Sequence, residues 1–163
     1  MTRIDGMNLS GASLGEESHL LAIEERIRES GIGRGRLAFE VTETTAVRDM
    51  IAAREWMRRL RDLGCRFALD DFGTGLSSFG YLKHFPVDFL KIDGSFVKEI
   101  LHDPIDREMV RSINEIGHLT GKLTIAERAE NAEIIGVLRG LGVDYAQGYG
   151  VSQPQRVQRA AIA

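Results

Sequence analysis

Strand-like and helix-like segments alternate along the chain, about six times, with short connections between them. The apolar run at residues 67–69 is typical of a buried strand, whereas the three-to-four spacing of apolar residues over 46–63 predicts an amphipathic helix. Gly64 is expected to end that helix, Asp106 and Asn131 are expected to cap two later helices, and residues 143–149 are expected to form the last strand. Neither pattern is confined to one part of the chain. The alternation therefore predicts a parallel sheet with helices between its strands, in one domain over residues 1–155 followed by a polar tail over 156–163.

The most distinctive stretch is residues 66–75, in which a short apolar strand ends on two adjacent carboxylates, Asp70 and Asp71. Gly73 and Gly75 follow and break the strand, as at the start of a βα loop. Adjacent strand residues point to opposite faces, so the two carboxylates can converge only where the strand ends and twists. Crowded carboxylates are costly unless a cation or a shared proton compensates. Taken in isolation, the motif is equally well interpreted as an Asx turn that closes the strand.

Polar side chains end almost every predicted strand. With the two aspartates they supply four carboxylates and two neutral oxygens, the ligands that Mg²⁺ or Mn²⁺ prefers. Two such ions about 3.5–4 Å apart can bind the attacking and leaving oxygens of a phosphodiester. Each residue alone also has a structural explanation, as a cap, a turn acid or an ion-pair partner, but their coincidence favours a functional site. These residues are Asn8, Glu40, Asp70, Asp71, Lys91, Glu127 and Gln147.

The strand ends also bear on the architecture. A closed (β/α)8 barrel typically needs about 250 residues, whereas an open doubly wound sheet is complete within a chain of 163 residues. In a barrel all strand ends gather on one rim, while in an open sheet they spread along a line. Composition cannot choose between an open sheet and part of a barrel, but a shared site at the strand ends favours the barrel.

Charge and residue usage exclude several classes of function. The net charge of −3 and the pI near 5.8 argue against DNA or RNA as a partner, and no apolar run approaches membrane-spanning length. The single cysteine, Cys65, excludes an intrachain disulfide, is interpreted as a small buried filler and favours a cytoplasmic location. The four histidines lack metal-ligand spacing, so any metal site would be built from oxygen ligands.

Five motifs resemble, in order and spacing, those of the EAL-domain family, the bacterial cyclic di-GMP phosphodiesterases with a (β/α)8-like barrel. The resemblance covers nearly the whole chain and includes Asn-Leu-Ser at 8–10 as a further strand end. The motifs are Glu-Val-Thr-Glu at 40–43, Asp-Asp-Phe-Gly-Thr-Gly at 70–75, Lys-Ile-Asp at 91–93, Ala-Glu-Arg-Ala-Glu at 126–130 and Gln-Gly-Tyr at 147–149.

The resemblance implies a role for each of these residues. Catalytic residues would be Lys91, Glu127, Asp71 and Gln147, with Lys91 and Gln147 organising the water nucleophile and the substrate. Glu43 would anchor the loop after Asp71, a loop that in this family helps to couple metal binding to dimerisation, so a homodimer is expected. Asp93 and Glu130 would support the ligands. The implied ligands of two Mg²⁺ or Mn²⁺ ions are Asn8, Glu40, Asp70 (which bridges both ions), Asp71 and Glu127.

Two departures from the family pattern weaken the expectation of activity. No Glu-Ala-Leu tripeptide, which supplies a further carboxylate upstream of the Asn-Leu-Ser strand, occurs in the sequence, and Arg128-Ala129 replaces the common Gly-Val or Phe-Val. We therefore expect a partial (β/α)8 TIM-type barrel of about six βα units without its first strands. Hydrolysis of cyclic di-GMP to linear pGpG by this chain alone is expected to be weak or absent. The alternatives are a catalytically degenerate module that binds cyclic di-GMP or dimerises, and a non-catalytic remnant with an exposed seam.

Overall fold

A computed structural model describes residues 5–10, 16–75 and 79–153, in which strands and helices alternate. Within these residues, no helix combines the length and the apolar character that crossing a membrane requires. A short 3-10 helix (Phe79–His84) precedes the fourth strand. The strands are β1 (Asp5–Asn8), β2 (Leu37–Thr42), β3 (Arg66–Phe72), β4 (Phe89–Ile92), β5 (Leu123–Ala126) and β6 (Tyr145–Ala146). The helices are α1 (Glu17–Ser30), α2 (Glu43–Arg48), α3 (Met50–Asp62), α4 (Gly94–Lys98), α5 (Pro104–Leu119) and α6 (Ala132–Gly140).

The sheet decides between the two architectures that the sequence left open. In the part of the chain that the structure describes, all five strand pairings are parallel, and the strands lie in the order in which they occur along the chain, β1 to β6. A doubly wound sheet reverses its strand order at a switch point, whereas a barrel adds each strand beside the previous one. The consecutive order is that of a barrel.

The sheet is also curled, as a barrel wall must be. Gly6 on β1 and Ala146 on β6 lie at opposite ends of the strand order, yet both line one cavity of about 230 Å³. Among the described residues, β1 pairs only with β2 and β6 pairs only with β5, so the wall does not close there. The expected partial (β/α)8 barrel of six strands is therefore confirmed.

The hydrophobic core lies between the outer face of the sheet and the helices. On β3, Phe67 and Leu69 point outward and are almost completely buried, while Ala68 between them faces the barrel cavity. Trp56 and Met57 of α3 belong to the same core. Cys65 is buried at the start of this strand, which confirms its interpretation as a small buried filler.

Local signals predicted some element ends and missed others. Asn131 caps α6, as expected, by accepting a hydrogen bond from the backbone N–H of Ile134. The helix expected over residues 46–63 is instead divided at Asp49, whose carboxylate accepts a hydrogen bond from the N–H of Ala52 and begins α3. The predicted cap Asp106 was wrong, because Asp103 occupies that position and accepts hydrogen bonds from two backbone N–H groups of the first turn. The last strand, expected over 143–149, is only Tyr145–Ala146, and the predicted polar tail over 156–163 lies outside the described residues.

A polar network joins the last strands to α5 at the end of the sheet opposite to the strand ends discussed above. Oδ2 of Asp144 accepts a hydrogen bond from the backbone N–H of Thr124 at 2.8 Å. The same oxygen lies 2.8 Å from Nε2 of His118. Burial would raise the pKa of the Asp144 carboxyl, but the hydrogen bonds from Thr124 and His118 outweigh burial and lower that pKa. The ionised carboxylate therefore stabilises the fold.

Replacing Asp144 with Asn is expected to lower the free energy of unfolding at neutral pH by about 1–3 kcal/mol, because the hydrogen bonds lose their charged acceptor. A depressed carboxyl pKa contributes stability above the unfolded pKa, about 3.9, and this contribution is lost as the pH falls through the folded value. Denaturant unfolding of the wild type and of Asp144→Asn, measured from pH 7 to pH 3, should thus show a difference in the free energy of unfolding that shrinks below about pH 4. Asp62→Asn, at an exposed position at the end of α3, is the matched control. A difference between wild type and variant that is independent of pH would contradict this account.

Candidate functional site

Lys91 is the centre of the polar cluster at the strand ends. It lies on β4 with only 3% of its side chain exposed, and its Nζ forms ion pairs with three carboxylates. The distances are 2.7 Å to Glu40 on β2, 2.9 Å to Asp70 on β3 and 2.7 Å to Glu127 after β5. Burial would lower the pKa of the Lys91 ammonium, but the hydrogen bonds to Glu127, Glu40 and Asp70 raise it above its ordinary value. The ammonium group is therefore charged and holds acids from three strands together.

The two adjacent aspartates converge because β3 becomes irregular at its end. The register with β4 shifts between Leu69 and Phe72, and Asp71 adopts a φ of 53°, in the left-handed region. The backbone N–H of Asp71 donates to Oδ1 of Asp70 at 3.0 Å. The prediction that both carboxylates can reach one site only where the strand twists into its loop agrees with this geometry.

Oxygen atoms of Asp70, Asp71 and Glu127 lie within 4.8 Å of one another, and we call these three residues the carboxylate cluster. Burial and the neighbouring carboxylates of Asp70 and Asp93 raise the pKa of Asp71. Burial also raises the pKa of Glu127, although Lys91 acts in the opposite direction. Both shifts mean that negative charge at this position is only partly compensated by the protein. A hard divalent cation, which prefers carboxylate oxygens, fits this donor set.

Glu43 lies beside this cluster but turns away from it. The residue is 4% exposed, and its carboxylate accepts hydrogen bonds from the N–H of Gly73, at 3.2 Å, and from the hydroxyl of Tyr81. It therefore ties the first residue of α2 to the loop after β3 and to the 3-10 helix. Tyr81 was missed in the sequence. The available signal was that a buried tyrosine hydroxyl needs a hydrogen-bond partner. The sequence does not indicate that this partner is Glu43, because the two residues are 38 positions apart.

The remaining predicted residues lie around this cluster. Asn8 and Glu40 are register partners on β1 and β2, so they stand at the same level of the rim. Space for Glu40 comes from Gly6, where an added Cβ would lie 2.5 Å from Glu40 Oε1. Asp93 caps α4 through the N–H of Ser95. The structure does not place Asn8 in contact with the carboxylate cluster, and its role as a ligand stays a prediction.

Gln147 lies next to the carboxylate cluster, at the end of β6. It borders both the barrel cavity and a cleft of about 440 Å³ outside it. That cleft reaches from Glu127 to Gln147 and holds two carboxylates, a guanidinium, an amide and an exposed aromatic ring, that of Tyr149. We call it the rim cleft. Its full lining is Glu127, Arg128, Glu130, Gln147, Gly148 and Tyr149.

The sequence model of the EAL domain family matches residues 2–154, almost the entire chain. The chain belongs to the EAL domain family. The order of the sheet and the position of the carboxylate cluster at its strand ends agree with the motifs that predicted this membership.

Curated relatives have a similar sequence over the same span. The cyclic di-GMP phosphodiesterase PdeB of Shewanella oneidensis is 45% identical over 149 residues, which are 91% of this chain and 17% of the relative. The cyclic di-GMP phosphodiesterase PdeF of Escherichia coli is 38% identical over 149 residues, or 91% of this chain and 20% of the relative. The chain thus spans about a fifth of the length of these relatives.

Solved EAL structures share the fold. The phosphodiesterase PaMucR in complex with c-di-GMP superposes with a TM-score of 0.85 at 32% identity, covering 91% of this chain and 60% of that one. The FimX EAL domain of Pseudomonas aeruginosa bound to c-di-GMP has a TM-score of 0.85 at 31% identity, covering 91% of this chain and 61% of that one. These chains confirm the barrel-type fold of the EAL domain.

Proposed function

We propose that this chain is a cyclic di-GMP phosphodiesterase domain that opens the cyclic dinucleotide to linear pGpG with the help of two Mg²⁺ or Mn²⁺ ions. The observation that supports this most strongly is the convergence of acids from three strands on the buried Lys91. The names of the relatives and the c-di-GMP complexes of two similar structures support the substrate.

The residues of the carboxylate cluster, with Glu40 and Asn8, would hold the ions. When bound, the ions supply Lewis acidity that polarises the phosphodiester and lowers the pKa of water. Lys91 fixes the orientation of Glu40, Asp70 and Glu127 before any ligand arrives, because its three ion pairs are buried. Gln147, which borders the rim cleft, would orient the substrate. Hydrolysis adds one water across one of the two phosphodiester bonds of the ring.

Residues 1–163 contain no Glu-Ala-Leu tripeptide, and we expect these residues on their own to hydrolyse cyclic di-GMP slowly. A catalytically degenerate domain that only binds cyclic di-GMP is the second candidate, and Arg128-Ala129, in place of the Gly-Val or Phe-Val that is common in the family, favours it. Retention of Lys91 and the complete carboxylate cluster favours the enzyme, since a binding module needs no metal ligands. Homodimerisation and a cytoplasmic location remain predictions.

Isothermal titration of cyclic di-GMP separates the two candidates. We expect binding in the presence of Ca²⁺, used as a non-catalytic ion, and weak or no binding with a chelator. Slow formation of pGpG with Mn²⁺, followed by chromatography, would then establish the enzyme. Binding that is equally tight with the chelator would support the binding module, and no binding under either condition would refute both.

A further inference from the structure

Arg128 holds an uncommon backbone conformation next to the carboxylate cluster. Its φ is 51°, in the left-handed region that residues other than glycine rarely adopt. The neighbouring backbone holds it there. The N–H of Ala129 donates to the carbonyl of Gln147 at 3.0 Å, and the N–H of Gly150 donates to the carbonyl of Ala129 at 2.9 Å. Such a conformation persists only where its surroundings impose it, and it gives the side chain a defined direction.

The direction of the Arg128 side chain follows from its contact with Gly94. A Cβ added to Gly94 would lie 2.5 Å from both Cγ and Cδ of Arg128, so the aliphatic stem rests where glycine leaves room. The residue is exposed and lines the rim cleft, and it forms no ion pair with any residue that the structure describes. The guanidinium group is therefore a planar set of N–H donors presented to a ligand in the cleft.

The chemistry of the rim cleft indicates what this group binds. A phosphodiester would lie at the carboxylate cluster with its cations, and the Arg128 guanidinium lies beyond ion-pair distance of the three acids of that cluster. Tyr149 offers an exposed ring for stacking on a base. Guanine is the base that presents two acceptors, O6 and N7, on one edge, and arginine matches that edge with two parallel hydrogen bonds.

We infer that Arg128 is a specificity-determining residue that donates to O6 and N7 of one guanine of the cyclic dinucleotide. The inference deepens the proposed function and rests on it. Arg128 would thereby select guanine over adenine, because adenine presents an amino donor in place of the O6 acceptor. A bidentate contact of this kind changes affinity by about 5- to 150-fold.

The test measures binding, with Ca²⁺ present, of cyclic di-GMP and of its analogue in which both bases are 7-deazaguanine and lack N7. We expect the wild-type chain to bind the natural ligand about tenfold more tightly than the analogue, since one hydrogen bond from a charged donor is lost. Arg128→Ala should bind both ligands with equal, reduced affinity. Arg128→Lys, which cannot form the planar pair, should recover only part of the preference.

Two further variants keep the result independent of folding. Arg128→Gly removes the side chain and relieves the positive φ, so it should melt at no lower temperature than the wild type while losing the preference for N7. Gly94→Ala places a methyl group against the Arg128 stem, so it should reduce the preference in the wild-type background and have no effect in Arg128→Gly.

The inference would be overturned, in favour of a phosphate contact, if the wild type bound both ligands equally well and Arg128→Ala lost the same affinity for each. Unchanged affinity in Arg128→Ala would overturn it in favour of packing alone. If the wild-type chain bound neither ligand, the proposed function would fail together with this inference, and that outcome is distinct from the other two.

Discussion

Replacing Lys91 with Met is expected to lower the free energy of unfolding by about 3–5 kcal/mol, because the variant leaves three carboxylates crowded in a buried site without their cation. The Lys91 side chain is 3% exposed, and its Nζ lies within 2.9 Å of an oxygen of each acid. Methionine has nearly the same length and fits the space, so the change removes charge rather than volume. Chemical denaturation in the presence of a chelator measures the effect.

Addition of Mn²⁺ should restore part of the lost stability in Lys91→Met, and should raise its melting temperature more than that of the wild type. The reason is that a divalent cation can replace the positive charge among the same oxygens. Lys98→Met is the matched control, because Lys98 is 59% exposed and its nearest acid, Glu99, is 3.9 Å away. A loss of stability no larger than that of the control, or one that Mn²⁺ does not reduce, would contradict the role of Lys91 as the counter-ion of the site.

Asp71→Asn is expected to reduce Ca²⁺-dependent binding of cyclic di-GMP, and any Mn²⁺-dependent hydrolysis, by about 100-fold, since the cluster loses one charged ligand. The same variant should melt at a higher temperature than the wild type when no metal is present. Burial and the charges of Asp70 and Asp93 raise the pKa of Asp71, so ionisation of this residue destabilises the fold. Asparagine removes the charge and tolerates the left-handed backbone that Asp71 adopts.

The pH dependence distinguishes this effect from a general change in stability. A carboxyl group whose pKa is raised in the folded state reduces stability above that pKa and has no such cost once it is protonated. The stabilisation by Asp71→Asn should therefore be largest near neutral pH and disappear in acid. Asp106→Asn is the matched control, because the pKa of Asp106 is also raised, by burial and by Asp103 and Glu99, and Asp106 lies on α5 and is not part of the carboxylate cluster. Asp106→Asn should stabilise the fold and leave ligand binding unchanged, and a loss of stability in Asp71→Asn would refute the argument.

Much of the fold could be predicted from the sequence because it depends on local patterns. The alternation of strands and helices, the turn after residue 64 and the cap at Asn131 depend on residues a few positions apart. The carboxylates at the strand ends were recognisable for the same reason, since each follows an apolar run directly. The division of the second helix at Asp49 was missed because the apolar spacing continues across it, although a capping side chain restarts the helix there.

Only the tertiary structure decided how these strand ends meet. The sequence allowed an open sheet or a barrel, and the consecutive strand order together with the cavity shared by β1 and β6 settled the choice. Lys91 forms ion pairs with three acids that are distant in sequence, and one of them, Glu40, is 51 positions away. The direction of the Arg128 side chain depends on Gly94, the first residue of α4. Local patterns specify which residues end each strand, but their distances are set by the register and curl of the sheet, which no single segment of the chain contains.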